Sequence, residues 1–92
     1  MQPMSLTMIA STVGGRLADV LDPTAQVTEP AVFDSREASP GTLFLALQGE
    51  HTDGHAFAEA AAGKGATAAL VTRPVGVPAI VVDDVLEAFG RL

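Results

Sequence analysis

Three polar residues, Asp34-Ser35-Arg36, follow a short apolar run that ends at Phe33. At the end of a strand, a serine hydroxyl can donate to or accept from a ligand heteroatom, and an arginine can hold a phosphate or carboxylate through two parallel hydrogen bonds. Phe33 can offer an apolar face to a planar ring. The alternative is an ordinary turn closed by Asp34 or Ser35, with Arg36 on the surface and Phe33 in the core.

A second polar segment contains Gly49, Glu50, His51, Thr52, Asp53, Gly54 and His55. Two imidazoles with a carboxylate between them invite a metal hypothesis. That hypothesis is disfavoured because a helix cap at Asp53 would keep His51 and His55 off a common helical face. The alternatives are a plain helix cap with two hydrogen-bonded or solvated imidazoles, and a loop whose backbone N–H groups face an anion or a nucleobase edge.

The two polar segments follow neighbouring predicted strands, so we expect them to form the rim of a binding site. No catalytic apparatus accompanies them in the sequence. Gly14-Gly15 lacks the Lys-Ser/Thr pair of a phosphate-binding loop, and neither a nucleophile-elbow serine nor a His-Glu-x-x-His metal site is present. The residues themselves therefore predict binding and not bond formation, with no metal.

The first half of the chain predicts a capped helix followed by extended segments. Ser5 precedes the apolar-periodic run from 6 to 13, and Gly14 is suited to end that helix in the left-handed conformation. Residues 16–20 alternate polar and apolar side chains as a half-buried strand does. Pro30 lacks an N–H donor, which limits the paired part of the next strand to residues 31–33 at a sheet edge.

The second half predicts a strand, a helix and a strand in succession. Residues 43–47 are apolar throughout, which favours a strand covered on both faces in the middle of the sheet. Asp53 would cap a helix over 55–64, and strands would follow at 67–72 and 79–82. Asp84 with Glu87 resembles a capping box for a final helix. The predicted fold is α/β, a small mixed sheet of about four or five strands with helices packed on it.

Composition limits the classes of partner and compartment. The chain has 92 residues and 48% hydrophobic content, enough for one small domain. Its net charge of −6 opposes polynucleotide binding, and it contains no cysteine for a disulfide or thiolate metal site. No apolar run reaches the ~20 residues of a membrane helix, and no secretory signal begins the chain, so we expect a cytoplasmic protein.

The apolar pattern of the last helix continues to Leu92. We therefore expect the first domain of a longer chain, with residues 1–83 as a binding domain and residues 84–92 as the start of a helix that leads into a further domain.

Four spaced motifs carry a resemblance to a known family: Asp34-Ser35-Arg36, Pro40-Gly41-x-Leu43-Phe44-x-Ala46-Leu47-x-Gly49, Asp53-Gly54-His55-x-Phe57, and Gly65-Ala66. Together they resemble the N-terminal domain of the Mur ligases, the ATP-dependent amide-forming enzymes of peptidoglycan synthesis. The short leading helix and the Val81-Val82-Asp83-Asp84 segment are most similar to those members that join D-alanyl-D-alanine to UDP-MurNAc-tripeptide.

The resemblance implies that this domain holds the uridine diphosphate end of a UDP-MurNAc-peptide. ATP and magnesium would be bound by a central domain of the same chain, and a third domain would help bind the amine, so the 92 residues alone are expected to be inactive. It also implies roles for individual residues. Ser35 would bond the uracil or a neighbouring oxygen, Phe33 would line the ring, and Arg36 would approach a phosphate or brace its loop.

The same resemblance assigns Glu50, His51 and Thr52 to the second wall of the site. Asp34, Gly49, Asp53, Gly54 and His55 would shape the loops. Two alternatives stay open: a free-standing binding module of the same fold, and the related ligase that adds the third amino acid of the stem peptide.

Overall fold

A computed structural model describes residues 3–48 and 53–92 of the chain. In chain order the elements are β1 (Met4–Ser5), α1 (Leu6–Val13), β2 (Arg16–Ala18), β3 (Gln26–Val27), β4 (Leu43–Leu45), α2 (Ala58–Gly63), β5 (Ala68–Val71), β6 (Ala79–Val81) and α3 (Val85–Gly90). There are also two 3-10 turns. One, Ser35–Glu37, lies between β3 and β4, and the other, Gly54–Phe57, comes directly before α2.

The strands form a mixed four-stranded sheet in the order β2-β6-β5-β4 and a separate two-stranded sheet of β1 and β3. Within the larger sheet β4, β5 and β6 run parallel, and β2 pairs with β6 antiparallel. The chain passes from β4 through α2 to β5, as a strand-helix-strand unit does. The predicted α/β class, with a small mixed sheet and packed helices, is confirmed.

The predicted position of β4 is wrong. It lies at an edge of the four-stranded sheet, and β5 and β6 occupy the middle. Among the residues that the structure describes, its outer edge pairs with Val32 alone, whose N–H donates to the Leu43 carbonyl at 2.9 Å and whose carbonyl accepts from Leu45 N–H at 2.8 Å. The predicted strand at 31–33 is therefore a single bridge.

The apolar sequence of β4 reflects two hydrophobic clusters that cover both faces of the sheet. Leu43 and Leu45 belong to the cluster under α1 and α3, and Phe44 belongs to the cluster under α2. All three side chains are buried. Burial of both faces was thus predicted correctly, but it does not reveal how many neighbours a strand has along its edges.

The helix caps follow the sequence closely. Ser5 Oγ accepts from Met8 N–H at 3.1 Å, and Gly14 ends α1 with a φ of 67°. Asp84 Oδ1 accepts from Glu87 N–H at 3.1 Å at the start of α3. The predicted strand at 16–20 is shorter than expected because Asp19 takes a positive φ of 55° and turns the chain.

Candidate functional site

A groove of about 800 Å³ lies beyond the carboxyl end of β4. It is lined by Phe33, Asp34, Ser35, Arg36, Phe44, Leu47, Gln48, Gly54 and Phe57. Val32 pairs with Phe44 in parallel, so the chain leaves the sheet at the same end after both residues. That pairing brings the predicted first segment next to the described part of the second.

The first side of the groove is a 3-10 turn capped by Asp34. Its carboxylate accepts from Arg36 N–H at 2.9 Å and is gripped by the Arg36 guanidinium, with Nη2 2.7 Å from Oδ2. These bonds from Arg36 lower the pKa of Asp34 to about 2. Lys64 Nζ also donates to the Arg36 carbonyl at 3.3 Å, which fastens the turn to the end of α2.

The interpretation of this segment as an ordinary turn is correct in part, and its role in ligand binding stays a prediction. Asp34 closes a turn and Arg36 is on the surface, with 84% of its side chain exposed. Phe33, however, is not in the core. It is 53% exposed, lines the groove, and packs perpendicular to Phe89 of α3 with ring centroids 6.2 Å apart. A ring held in this way presents apolar surface to the groove.

The second side of the groove is built on a close approach of two backbone segments. Gly54 N–H donates to the Leu47 carbonyl at 2.7 Å, and Gln48 forms an antiparallel bridge with Asp53. A Cβ at Gly54 would lie 2.6 Å from Leu47 N and 2.7 Å from Leu47 O. Only glycine fits there, which gives a physical reason for this member of the Asp53-Gly54-His55 motif.

The Asp53 carboxylate joins the second side to the end of β5. Oδ1 accepts from His55 N–H at 3.0 Å and from His55 Nδ1 at 2.7 Å, and Oδ2 accepts from Arg73 Nη2 at 2.6 Å. The Arg73 guanidinium and the His55 backbone N–H hold the pKa of Asp53 well below its usual range. The carboxylate is therefore an anion fixed by three donors.

His55 is buried and has a defined tautomer. Its Nε2 accepts from the Thr72 backbone N–H at 2.9 Å, so Nε2 carries a lone pair and Nδ1 carries the proton donated to Asp53. The imidazole thus links the turn before α2 to the residue after β5. Of the two states considered for this imidazole, hydrogen-bonded or solvated, the structure shows the hydrogen-bonded one.

A second cavity of about 350 Å³ lies on the other side of the Leu47-Gln48 segment. Its lining includes His55, Thr72, Asp83 and Asp84, which follow β5 and β6 or precede α2. Both cavities therefore open at the end of the sheet where the parallel strands finish, the usual place for ligands in open α/β sheets.

Several predicted contacts cannot be located. Gly49, Glu50, His51 and Thr52 lie outside the described residues, so their expected part in the second wall stays a prediction. Within residues 3–48 and 53–92, no three His, Cys, Asp or Glu side chains are grouped as a metal site, and no helix is long and apolar enough to span a bilayer.

Sequence reasoning missed several residues around the groove. Leu47, Gln48 and Phe57 line it, and Phe89 supports Phe33. The Asp-Gly-His-x-Phe motif contains Phe57 and could have indicated it. The segment Leu47-Gln48 could have been inferred because it lies at the end of a predicted strand. Phe89 and Arg73 have no local signal, since only the tertiary fold brings them near.

Curated relatives share the sequence over most of the chain. The UDP-N-acetylmuramoyl-tripeptide--D-alanyl-D-alanine ligase of Mycobacterium tuberculosis is 48% identical over 85 residues, which are 89% of this chain and 17% of the relative. The Escherichia coli ligase of the same name is 43% identical over 91 residues, 92% of this chain and 20% of the relative. The Geobacillus thermodenitrificans 2,6-diaminopimelate ligase is 46% identical over 62 residues, 65% of this chain and 13% of the relative.

Solved structures agree with this likeness. The crystal structure of MurF from Acinetobacter baumannii matches with a TM-score of 0.85 and 30% identity, over 100% of this chain and 20% of that chain. The chain thus spans about a fifth of the length of the proteins it matches. The family model described as "Mur ligase family, catalytic domain" matches residues 32–92, which include both sides of the groove. The chain belongs to the Mur ligase family.

Proposed function

We propose that this chain binds the uridine diphosphate end of UDP-MurNAc-tripeptide, as one domain of a ligase that joins D-alanyl-D-alanine to that substrate. The observation that carries the proposal is the groove between Phe33–Arg36 on one side and Gln48 and Gly54 on the other, in a chain 48% identical to ligases whose names specify this reaction. Residues 1–83 would form the binding domain, and residues 84–92 would begin the helix toward a central domain.

The chemistry of the groove suits a nucleoside diphosphate. Phe33 offers an exposed apolar ring for the uracil, and half-buried Ser35 offers a hydroxyl for its polar edge. Arg36 donates from Nε and Nη2 to Asp34, so its Nη1 is available to a phosphate oxygen. Its first function is thus to brace the turn, and its second is to contact the ligand. Glu50, His51 and Thr52 would complete the second wall.

The remaining chemistry would lie elsewhere in the complete enzyme. ATP and magnesium, bound outside these residues, would allow transfer of the γ-phosphoryl group to the tripeptide carboxylate. The D-alanyl-D-alanine amine would then attack the acyl phosphate, expel phosphate and lose a proton, which forms the amide. The enzyme would act in the cytoplasm, and its product would serve the cell wall, cell shape and cell division.

One related activity has its own support. The 2,6-diaminopimelate ligase of Geobacillus thermodenitrificans is 46% identical, although over 65% of this chain, compared with 89% for the D-alanyl-D-alanine ligases. The broader match favours D-alanyl-D-alanine addition. An amine-binding region downstream in the gene separates these two ligases, and a stop codon directly after Leu92 would favour a free-standing binding module.

The proposal is tested by NMR titration of the chain with UDP, with ADP as the matched ligand. UDP should shift the amide signals of residues 33–36 and 47–54, and ADP should shift them less because its purine does not match a uracil site. Shifts confined to residues 60–80, or equal responses to both nucleotides, would overturn the assignment of the groove to uridine.

A further inference from the structure

One ion pair near the groove joins parts of the chain that are far apart in sequence. Arg73 Nη2 lies 2.6 Å from Asp53 Oδ2, across 20 residues of sequence, and connects the loop after β5 to the turn before α2. Arg73 is not among the residues that line the groove. Any effect of this ion pair on a ligand in the groove must therefore act through Asp53 and the residues that Asp53 contacts.

Asp53 is connected to two residues that line the groove. It is the residue before Gly54, which lines the groove and donates to the Leu47 carbonyl at 2.7 Å. It also bridges Gln48, another lining residue. A continuous chain of contacts thus runs from Arg73 through Asp53 to Gly54 and Gln48. Movement of the carboxylate would displace the backbone of the second side.

We propose that Arg73 is a positioning residue for nucleotide binding, which fixes the second side of the groove through its ion pair with Asp53. This inference rests on the proposed function. Arg73 does not touch the ligand. It restricts Asp53 to the one orientation in which Oδ1 caps the turn and receives His55 Nδ1 while Oδ2 faces β5. Binding then requires less ordering of the groove, because the free protein already holds the arrangement.

The chain contains a matched control for this ion pair. Arg91, the residue after α3, has its Nη2 2.7 Å from Glu87 Oε1 of that helix, and its side chain is 54% exposed, compared with 55% for Arg73. The two pairs thus have similar N···O distances and similarly exposed arginine side chains, and they differ in which parts of the chain they join. Loss of the Arg91 pair alters one helix surface, whereas loss of the Arg73 pair releases Asp53.

The experiment compares UDP affinity by NMR titration in the wild-type chain, Arg73→Ala, Arg73→Lys and Arg91→Ala. We expect Arg73→Ala to weaken UDP binding about three- to tenfold, and Arg91→Ala to change it by less than about twofold. Arg73→Lys should restore most of the affinity, because only one guanidinium nitrogen contacts Asp53. Amide hydrogen exchange at Gly54 in the free chain should accelerate in Arg73→Ala alone.

The outcomes separate the two proposals. If the wild-type chain binds no UDP, the proposed function fails and this inference fails with it. If the wild type binds UDP but Arg73→Ala binds as Arg91→Ala does, the positioning role is overturned and the proposed function stands. If Arg73→Ala does not fold, Arg73→Gln takes its place in the comparison, because glutamine retains part of the aliphatic stem. Wild-type UDP affinity in Arg73→Gln would also overturn the positioning role.

Discussion

Two aspartates perform the same local task on opposite sides of the groove. Asp34 and Asp53 each cap a 3-10 turn by accepting the backbone N–H two residues later, and each carboxylate binds an arginine. They differ in where the arginine comes from. Arg36 belongs to the same turn as Asp34, while Arg73 comes from the neighbouring strand end. The first side is therefore a local structure, and the second depends on the tertiary fold.

The Asp34 carboxyl should titrate at about pH 2, because Arg36 stabilises its anion. Since this folded-state pKa lies below the ordinary value of about 3.9, the contribution to stability is complete above about pH 4 and is lost as the pH falls toward 2. NMR titration of the side-chain carboxyl carbon measures the pKa. Arg36→Ala should return it toward the ordinary value, and an unchanged low pKa in that variant would contradict this cause.

Ser35→Ala should weaken UDP binding without loss of folding. Ser35 is one of the residues that line the groove, and a hydrogen bond from its hydroxyl to the ligand is worth about 0.5–1.5 kcal/mol. Calorimetric titration with UDP measures the loss, and thermal unfolding checks the fold. Ser39→Ala, a serine outside the groove lining, is the control. Equal UDP affinity in Ser35→Ala and the wild type would remove Ser35 from the site.

At the residue scale, the sequence predicts what local chemistry determines. Asp34 was one of two candidates to close its turn, and its side chain accepts the N–H group as a turn cap does. Asp53 was expected to cap a helix over 55–64; its side chain does accept a nearby N–H group, but it caps a 3-10 turn, and α2 begins only at Ala58. The exposure of Phe33 could not be predicted, since it depends on the absence of covering side chains from other elements. The contacts of Arg73 and Phe89 likewise arise only after distant segments pack.

Two segments of backbone approach each other closely where Gly54 contacts Leu47. Gly54→Ala should lower the free energy of unfolding by about 1–3 kcal/mol, because the new Cβ would lie 2.6 Å and 2.7 Å from backbone atoms that cannot move independently. Chemical denaturation measures the change. Gly63→Ala is the matched control, since a Cβ there meets nothing within 4 Å. Equal stability of both variants would show that the Leu47 backbone yields easily.

The elements themselves could be predicted from sequence wherever caps and apolar runs mark them. The start of α1 at Ser5, its end at Gly14, and the cap of α3 at Asp84 all occur as expected. The position of β4 could not be deduced in the same way. Its side chains report only that both faces are covered, and strand order depends on which edges pair. The short β1–β3 pair has too few residues to give an alternating pattern.

At the scale of the whole molecule, the fold class and the family could both be predicted. The strand-helix-strand succession gives the α/β class, and the spaced motifs give the Mur ligase family. The spacing matters because it records which turns and close approaches the fold requires, such as Gly54 against Leu47. The second wall at Gly49–Thr52 stays a prediction, since the structure does not describe those residues.

The contact between Phe33 and Phe89 connects the groove to α3. One ring lines the groove, and the other belongs to α3, the last helix of the chain. A base that stacked on the Phe33 ring would bind to a side chain that already contacts α3. A ligand that shifted the Phe33 ring would therefore change its contact with Phe89, so that binding in the groove and the position of α3 would be coupled.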